Sequence, residues 1–355
     1  MTSPFLARPG AVAVESGPDV GVAAHYGQPL PEQRALAAGD AIVDVSHLGV
    51  VEVRGDDRRK WIDSLTSQHV ADLAPGESAD NLLLTPQGRI EHEFGMLDDG
   101  SSSWLITEAG AAAGLAEWFA KMRFMMRVEV LDRSDELFPV ATLGDHDLGA
   151  ALVWRDPWAT GALGGVTYST AAPHPGEGYA PRLHLLDADA LARVAESFDS
   201  VAGIDALEAL RIAAWRPREA REFDDRAVPH EFDLLRSAVH LTKGCYRGQE
   251  TIAKVHNLGH PPRRIVRLDL DGVVPEPGAH IYVPGKDRPV GLVTSAANHY
   301  DDGPIALAVL KRNTDPEAQL EVDGGDETRI GAAQTVIVPQ GAGSSVDLSA
   351  FRGRR

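Results

Sequence analysis

Cysteine is almost absent from this sequence of 355 residues, in which Cys245 is the only one. A single cysteine cannot form an intrachain disulfide framework, and it says little about the redox compartment. It also excludes a zinc or iron–sulfur site built from four thiolates of one chain. A lone thiol inside KGCYRGQE, residues 243–250, therefore needs another explanation.

Long hydrophobic runs are missing as well. No stretch approaches the roughly 18 apolar residues of a membrane span. Prolines and acidic residues interrupt the N-terminal segment, where a secretory signal needs a continuous apolar core. We therefore expect a soluble, cytoplasmic protein that does not act at a membrane. The small, polar residues 341–355 are expected to form a flexible tail.

Positive charge is scarce, with 34 Lys and Arg against 52 Asp and Glu and a formal net charge of −18. Phosphate recognition needs a clustered positive field, so this balance argues against direct nucleic-acid binding. The negative net charge does not exclude a local basic pocket. The length suggests two or three domains at about 150 residues each, and 43% hydrophobic residues allow each domain a buried core.

Strand and helix patterns organise the first part of the chain. Residues 1–34 are interpreted as an extended lead-in and residues 35–258 as an α+β region of two interleaved modules. Residues 57–68 predict a helix with Asp56 as its N-cap, and residues 77–107 predict three strands joined by tight turns. Antiparallel strands with helices on one face are typical of an α+β fold.

The pattern changes near Pro261 and Pro262. Residues 263–340 consist of short alternating strands separated by turn residues. This pattern predicts a small β-barrel or sandwich.

The cysteine lies among glycines and cations. Lys243 and Arg247 supply positive charge nearby, and the residues from Gly248 onward predict the start of a helix. A cation and a helix N-terminus both favour the thiolate, which is the reactive form. The alternative is a tight turn with a buried, inert cysteine, because free cysteine is among the most buried residue types.

The segment KGCYRGQETIAKVHNLGHPPRR, residues 243–264, resembles the signature of the YgfZ family of folate-binding proteins, relatives of the glycine-cleavage T-protein, an aminomethyltransferase. The likeness continues through DVSHLG (44–49), LTPQGRIEHEF (84–94) and ALRIAAWRPR (209–218), and covers roughly residues 35–315. It implies a three-part α+β cloverleaf around a central channel, with two ferredoxin-like modules and a C-terminal β-barrel. It also implies that tetrahydrofolate, or a one-carbon derivative, is the cofactor in that channel.

Two departures from the T-protein pattern bear on function. His92 and Glu93 stand where that enzyme has its catalytic aspartate, and Ala213 replaces the glutamate of its R-L-E-A-G helix. In the same helix Trp215 replaces the glycine. The departures argue against aminomethyl transfer and fit YgfZ-type proteins, which are implicated in maintaining iron–sulfur enzymes, including some that modify tRNA. The partners that the resemblance implies are folate and iron–sulfur client enzymes or assembly proteins.

The cysteine loop supplies the candidate catalytic residues. Cys245 is the first of these, with Lys243 and Tyr246 beside it. For Lys243 the alternative is an ordinary surface cation, and for Tyr246 a packed turn aromatic.

Candidate cofactor-binding residues are spread along the chain: Asn81, His92, Arg211, Glu231, Gln249 and Glu250. Asn81 and His92 are expected to face each other across a hairpin and to line the channel. Arg211 either holds a ligand carboxylate or forms a structural ion pair, and Glu231 is a candidate for the pterin edge. Gln249 and Glu250 alternatively cap the helix start.

A metal pair of His256 and His260 is not expected, because Gly259 and two prolines break the helix there.

Three functions follow. The first is a folate-dependent accessory protein for iron–sulfur cluster assembly or repair that acts through Cys245. The second is a folate-dependent aminomethyltransferase or demethylase of the T-protein class, which would work without the cysteine. The third is a folate-binding interaction protein with a structural cysteine.

Overall fold

The computed structural model describes residues 2–162, 164–325 and 328–344. Within them the helices are α1 (Pro29–Ala37), α2 (Arg58–Leu65), α3 (Ala112–Lys121), α4 (Ala188–Ser197), α5 (Ile204–Ala213), α6 (Glu219–Glu222) and α7 (Gln249–Leu258). The strands are β1 (Val12–Ala13), β2 (Ala23–His25), β3 (Ile42–Asp44), β4 (Gly49–Arg54), β5 (Ser78–Leu84), β6 (Ile90–Asp98), β7 (Ser102–Thr107), β8 (Glu129–Asp132), β9 (Phe138–Thr142), β10 (Leu152–Arg155), β11 (Arg182–Leu186), β12 (Val201–Ala202), β13 (Arg263–Leu270), β14 (His280–Tyr282), β15 (Gly291–His299), β16 (Gly303–Lys311), β17 (Leu320–Asp323) and β18 (Arg329–Val336).

The first sheet is antiparallel and has the strand order β5-β6-β7-β4-β8. Helices α2 and α3 cover one face, where Trp61 and Phe119 pack against Val53 and Phe94 of the strands. Alternating apolar residues on one sheet face and helical spacing on the two helices produce this shared core. The three strands predicted for residues 77–107 are confirmed.

The cap predicted for α2 is wrong. The helix begins at Arg58, and Asp57 is its N-cap residue, with no side-chain capping bond among the described residues. Instead, Arg127 donates to the carboxylates of Asp56 and Asp57. These acids therefore tie the start of α2 to the segment before β8.

The second sheet has the order β10-β11-β9-β3-β12 and is antiparallel except for the β12–β3 pair. Its Trp154 packs with residues of the first sheet and donates from Nε1 to the carbonyl oxygen of Ala79 at 2.8 Å. A Cβ atom on Gly95 would lie 2.5 Å from the Trp154 ring, so glycine allows this close approach. The two sheets are thereby held side by side.

The C-terminal strands close into a barrel of order β13-β16-β15-β14-β17-β18. Apolar side chains from alternate positions, including Val266, Ile281 and Leu310, fill its interior. The α+β class with a C-terminal barrel is therefore confirmed.

The N-terminal residues pack onto this body. Phe5 is fully buried beside Ile42 and Phe138, and Ser3 bonds to Asp44. A short hairpin of β1 and β2 then carries the chain towards α1. Of the predicted flexible tail, residues 345–355 lie outside the described residues.

Among the described residues, no helix combines the length and the apolar character needed to cross a membrane.

Candidate functional site

A central pocket lies where the two sheets meet α5 and the segment after it. Its volume is about 150 Å³. Its apolar walls come from both sheets and α5, and include Leu48, Ile106, Trp154, Leu183 and Leu207.

The closed end of the pocket holds a buried cation surrounded by carboxyl groups. Arg216 places Nη1 2.6 Å from Oε1 of Glu93, Nε 3.0 Å from Oδ2 of Asp156 and Nη2 3.2 Å from Oδ2 of Asp80. All four residues are buried. The indole of Trp158 supports the guanidinium, whose Cζ lies 5.3 Å from the ring centroid.

One arginine cannot balance three ionised carboxylates in a buried site. Burial raises the pKa of Asp80 to about 6, although the charge of Arg216 opposes the change. Burial likewise raises the pKa of Glu93 well above its usual value. The pocket therefore presents both hydrogen-bond donors and acceptors near neutral pH.

The mouth of the pocket carries a second set of ion pairs. Arg218 donates from Nε and Nη2 to the two oxygens of Glu108, each at 2.8 Å. The Nη2 atom also lies 2.7 Å from Oδ1 of Asp19, a buried residue between β1 and β2.

Asn81 and His92 do not face each other, contrary to prediction. Asn81 pairs with Phe94, and His92 pairs with Leu83. Because side chains alternate along a strand, Asp80 and Glu93, one residue away on each strand, face the pocket instead.

The two predicted side chains have other contacts. The carboxamide oxygen of Asn81 accepts from the backbone N–H of Gln68 at 2.9 Å. Nδ1 of His92 lies 3.3 Å from Oε1 of Glu219.

Arg211 lies in the pocket wall, but its donors are occupied. It bonds to Glu208, to Glu222 and to Ser295 in the barrel, and it is 4% exposed. This arrangement corresponds to the structural ion-pair alternative. Glu231 is fully buried and accepts from Arg263 at 2.7 and 2.9 Å. It is not among the residues that line the described pocket.

The cysteine loop, residues 243–250, lies apart from the pocket. Of the described residues that line the central pocket, none belongs to this loop. Cys245 is exposed, and α7 begins at Gln249, as the helix prediction required.

Both cations near the cysteine have other partners. Nζ of Lys243 donates to the carbonyl oxygens of Asp63, Thr66 and Gln68 at 2.6, 3.0 and 2.6 Å, at the C-terminal end of α2. Arg247 pairs with Glu91 at 2.6 Å. The idea that these cations act on the thiol is therefore not supported by their contacts.

The side chain of Lys243 is buried and has a structural role. Its side chain is 1% exposed. Burial lowers its pKa to about 8, although the Asp63 carboxylate opposes the shift. Carbonyls at a helix C-terminus attract a cation, so this contact fixes the loop to α2.

Of the other candidate residues in the cysteine loop, Tyr246 is buried and Glu250 is exposed. Tyr246 is 7% exposed, and its hydroxyl has no hydrogen-bond partner among the described residues. The side chain of Gln249 donates to the carbonyl oxygens of Lys243 and Gly244, so it closes the loop. Glu250 is exposed in the first turn of α7.

Two of the sequence motifs meet in space. A Cβ atom on Gly248 would lie 2.6 Å from the carbonyl oxygen of Thr85 and 3.0 Å from Cα of Gly88. Both glycines have positive φ values, +85° and +74°. The LTPQG turn and the cysteine loop thus pack together, backbone against backbone.

No cluster of three or more His, Cys, Asp or Glu residues suited to a metal occurs in the part of the chain that the structure describes. Nδ1 of His256 is 3.0 Å from the Tyr168 hydroxyl, and Nδ1 of His260 is 2.9 Å from the carbonyl oxygen of Ala342.

Comparisons with known proteins show what this chain is similar to. Residues 10–146 match the family profile described as the GCVT N-terminal domain. A putative chloroplastic transferase of Arabidopsis thaliana, At1g60990, is 27% identical over 78% of this chain and 67% of its own length. An aminomethyltransferase of Symbiobacterium thermophilum is also 27% identical, over 77% of this chain and 78% of its own length.

A solved structure shares the fold. The glycine cleavage system aminomethyltransferase T of Bartonella henselae aligns with a TM-score of 0.74, covering 95% of this chain and 96% of its own, at 17% identity. Together these matches support a T-protein-like superfamily for this chain.

Within this T-protein-like fold, Trp215 stands at an unusual backbone position. Its φ is +62°, in the left-handed region just after α5, a position that favours glycine. The indole is 4% exposed and packs edge-on against His174 at 5.4 Å. Its Nε1 has no hydrogen-bond partner within the described ranges. A buried, packed aromatic residue thus stands at a backbone position that disfavours a Cβ atom.

Proposed function

We propose that the protein binds tetrahydrofolate, or a one-carbon derivative, in the central pocket and supports iron–sulfur cluster assembly or repair through Cys245, as a YgfZ-type protein. The observation that carries the folate assignment is the carboxyl cluster around Arg216 at the closed end of an apolar pocket, in a T-protein-like fold. Action on iron–sulfur enzymes that modify tRNA belongs to the same proposal.

The residues present fit a reduced folate. A flat pterin edge carries several N–H donors and a carbonyl acceptor, and Asp80 and Glu93 supply acceptors or donors according to their protonation. The apolar walls suit the ring faces. When bound, the folate would supply one-carbon chemistry, and this chain would hold and orient it.

The pocket is smaller than most sites for ligands of this size. Sites for ligands of this size usually measure roughly 300–1,000 Å³, whereas this pocket has about 150 Å³.

Cys245 would act at the surface. It is exposed on a loop that Lys243 and Gly248 fix to the first sheet and its helices. An accessible thiol on a fixed loop suits contact with a client protein.

Equilibrium binding of tetrahydrofolate under anaerobic conditions tests the pocket. Glu93→Gln keeps the shape but removes the ionisable carboxyl group, and we expect at least about a tenfold loss of affinity. Glu129→Gln, an exposed change on β8, is the matched control. Wild-type protein that shows no saturable binding would refute the folate assignment.

A separate experiment tests the thiol. Cys245→Ser should bind tetrahydrofolate as the wild type does, yet fail to restore iron–sulfur enzyme activity in cells that lack this protein. Full restoration by the serine variant would make the cysteine structural.

Aminomethyl transfer is the second candidate, and the pocket position of Glu93 favours it. A carboxyl group does occupy the central pocket from the strand where the T-protein pattern has its acid. This candidate predicts tetrahydrofolate-dependent turnover of an aminomethyl donor that Glu93→Gln abolishes and Cys245→Ser leaves unchanged.

A further inference from the structure

A turn at the end of α3 exposes consecutive apolar side chains. Phe124, Met125 and Met126 are 83%, 97% and 37% exposed. They belong to none of the hydrophobic cores formed by the described residues. Scattered exposed apolar residues are normal on a soluble protein, but a contiguous patch marks an interaction site. The turn is therefore a candidate for contact with another molecule.

The backbone on both sides of this turn is held in place. Before it, Nε1 of Trp61 donates to the carbonyl oxygen of Met122 at 3.2 Å. After it, the backbone N–H of Arg127 donates to Oδ2 of Asp57 at 2.9 Å. Phe124 has a φ of +45°, which is uncommon for a bulky residue, and such conformations cluster at binding sites. A fixed backbone presents the apolar side chains with little ordering cost on association.

The apolar surface continues from the turn to the cysteine loop. Trp118 and Met122, both half-buried, are four residues apart and so share one face of α3. Cζ of Arg247 lies 5.5 Å from the ring centroid of Trp118. Arg247 is two residues from Cys245, which is exposed. The surface therefore borders the loop that presents the thiol. We call it the α3 tip, and it consists of Trp118, Met122, Phe124, Met125 and Met126.

The α3 tip has a positive rim. Residues 121–127 contain three cations and no acid, in a chain with a formal net charge of −18. Lys121 and Arg127 each pair with an acid of this chain. The side chain of Arg123 has no hydrogen bond or ion pair within the described residues. It is exposed, so it is free to meet a carboxylate of a second molecule.

These features favour a protein partner over a membrane. Adhesion to an anionic membrane takes a cluster of about four to eight cations, whereas the tip segment has three, two of them paired. The negative net charge would also repel such a surface. A protein pocket needs only a few apolar anchors with one or two charges at the rim.

We propose that the α3 tip is the docking site for the protein on which Cys245 acts, and that this partner offers an apolar pocket rimmed by carboxylates. Phe124 and Met125 enter the pocket, and Arg123 pairs with the rim. The inference rests on the proposed function, in which the partner is an iron–sulfur client or assembly protein. Docking at the tip would place the partner over the exposed thiol.

Site-specific photo-crosslinking tests the docking. Benzoylphenylalanine replaces Met125, or Val273 as a control, in the full chain inside cells, and mass spectrometry identifies the adducts. Val273 is 56% exposed and lies between β13 and β14 of the barrel. We expect an adduct with an acidic iron–sulfur or assembly protein from position 125 alone. Arg123→Glu should lower its yield at least about tenfold, because like charges would then meet at the rim. Arg226→Glu, a reversal at a residue that is 72% exposed, should leave the yield within about twofold.

A functional assay complements the adducts. Met125→Glu should restore at most about a tenth of the wild-type iron–sulfur enzyme activity in cells that lack this protein, whereas Val273→Glu should restore all of it. Because Met125 is 97% exposed, its variant should keep the wild-type stability, tetrahydrofolate affinity and alkylation rate of Cys245. An unchanged alkylation rate separates lost docking from damage to the loop.

Contrary results for the docking site and for the proposed function are distinct. No adduct from position 125, or adducts that contain only a second copy of this chain or only lipid, would overturn the docking site, as would full restoration by Met125→Glu. If wild-type protein restores no iron–sulfur enzyme activity, the proposed function fails. The docking site then stands if the position-125 adduct with an acidic protein is lost in Arg123→Glu, and is wrong if that adduct persists.

Discussion

Replacing Arg216 by methionine tests the idea that one cation sustains the buried carboxyl cluster. The guanidinium contacts Glu93, Asp156 and Asp80 at 2.6–3.2 Å, and all of these groups are buried. Removing one member of a buried pair costs about 3–5 kcal/mol, because the remaining charge is left uncompensated. Since a folded domain is typically stable by about 5–15 kcal/mol, the loss should be large but measurable.

The loss should depend on pH in a defined direction. The pKa of Asp80 is already raised to about 6 with Arg216 present, and it must rise further without it. A carboxyl whose pKa is higher in the folded state binds more protons there than in the unfolded chain. Its contribution is complete below the unfolded pKa of about 3.9 and is lost as pH rises through the folded value. The free energy of unfolding of Arg216→Met should therefore fall with rising pH, by about 1.4 kcal/mol per unit for each extra proton.

Urea unfolding at pH 5, 6 and 7, followed by tryptophan fluorescence, measures this dependence. Arg226→Met is the matched control, because Arg226 is 72% exposed and its removal should cost less than about 0.5 kcal/mol. Adding Glu93→Gln to Arg216→Met should restore part of the stability at pH 7. A loss equal to the control, or a variant whose stability relative to wild type is the same at all three pH values, would refute the argument.

Three further predictions concern the backbone and the cysteine loop. Trp215→Gly and Trp215→Ala both lose the buried indole, but alanine keeps a Cβ atom at a φ of +62°, so the glycine variant should be more stable by about 1 kcal/mol in urea unfolding. Gly248→Ala should cost at least about 2 kcal/mol, because the new Cβ meets the Thr85 carbonyl oxygen at 2.6 Å, while Gly244→Ala, with no described atom within 4 Å of the added Cβ and no positive φ, should cost little. The pKa of Lys243 is lowered to about 8, so the unfolded chain binds the extra proton, and the stability difference between wild type and Lys243→Met should move in favour of wild type from pH 8 to about 10.5.

Each of these predictions has a contrary result. Equal stabilities of the two Trp215 variants would mean that the left-handed backbone stores no strain. A Gly248→Ala variant as stable as Gly244→Ala would contradict the tight contact with the hairpin turn. If the stability difference between wild type and Lys243→Met does not change above pH 8, the amine is solvated in the folded protein.

The elements that follow local rules could be predicted from the sequence. The strands of residues 77–107, the helix after Gly248 and the barrel after Arg263 each carry alternation, turn residues or helical spacing that act over a few positions. The cap of α2 was missed because two adjacent aspartates compete for the position and both bind Arg127.

Predicting which residues line the pocket requires knowing which face of each strand a side chain occupies, and a single motif does not reveal this. Asn81 and His92 were favoured, whereas their neighbours Asp80 and Glu93 face the pocket. A strict count of alternation along β5 would have helped, since Asn81 has the phase of Leu83, which faces the helices. Arg216 and Asp156 gave no such signal, because their contact joins segments that are 60 residues apart.

The contacts of Lys243 and Arg247 were also hidden from the sequence. Short spacing to Cys245 suggested an effect on the thiol, but each side chain extends to a carboxylate on the first sheet or its helix. Proximity along the chain does not determine where a long, flexible cation ends.

The attachment of the cysteine loop has a consequence for the order of folding. Lys243 bonds to a residue 180 positions earlier in the chain, and Arg247 to one 156 positions earlier. Contacts of such high sequence separation carry a large loop-closure entropy and form slowly. The thiol is therefore fixed in place only after the hairpin and α2 have formed and the later chain has returned to them. A chain that ends before residue 243 has no cysteine. In a longer chain in which Lys243 and Arg247 have not yet formed their contacts, Cys245 lies on a mobile loop. The anchored position of Cys245 thus depends on the prior formation of α2 and β6.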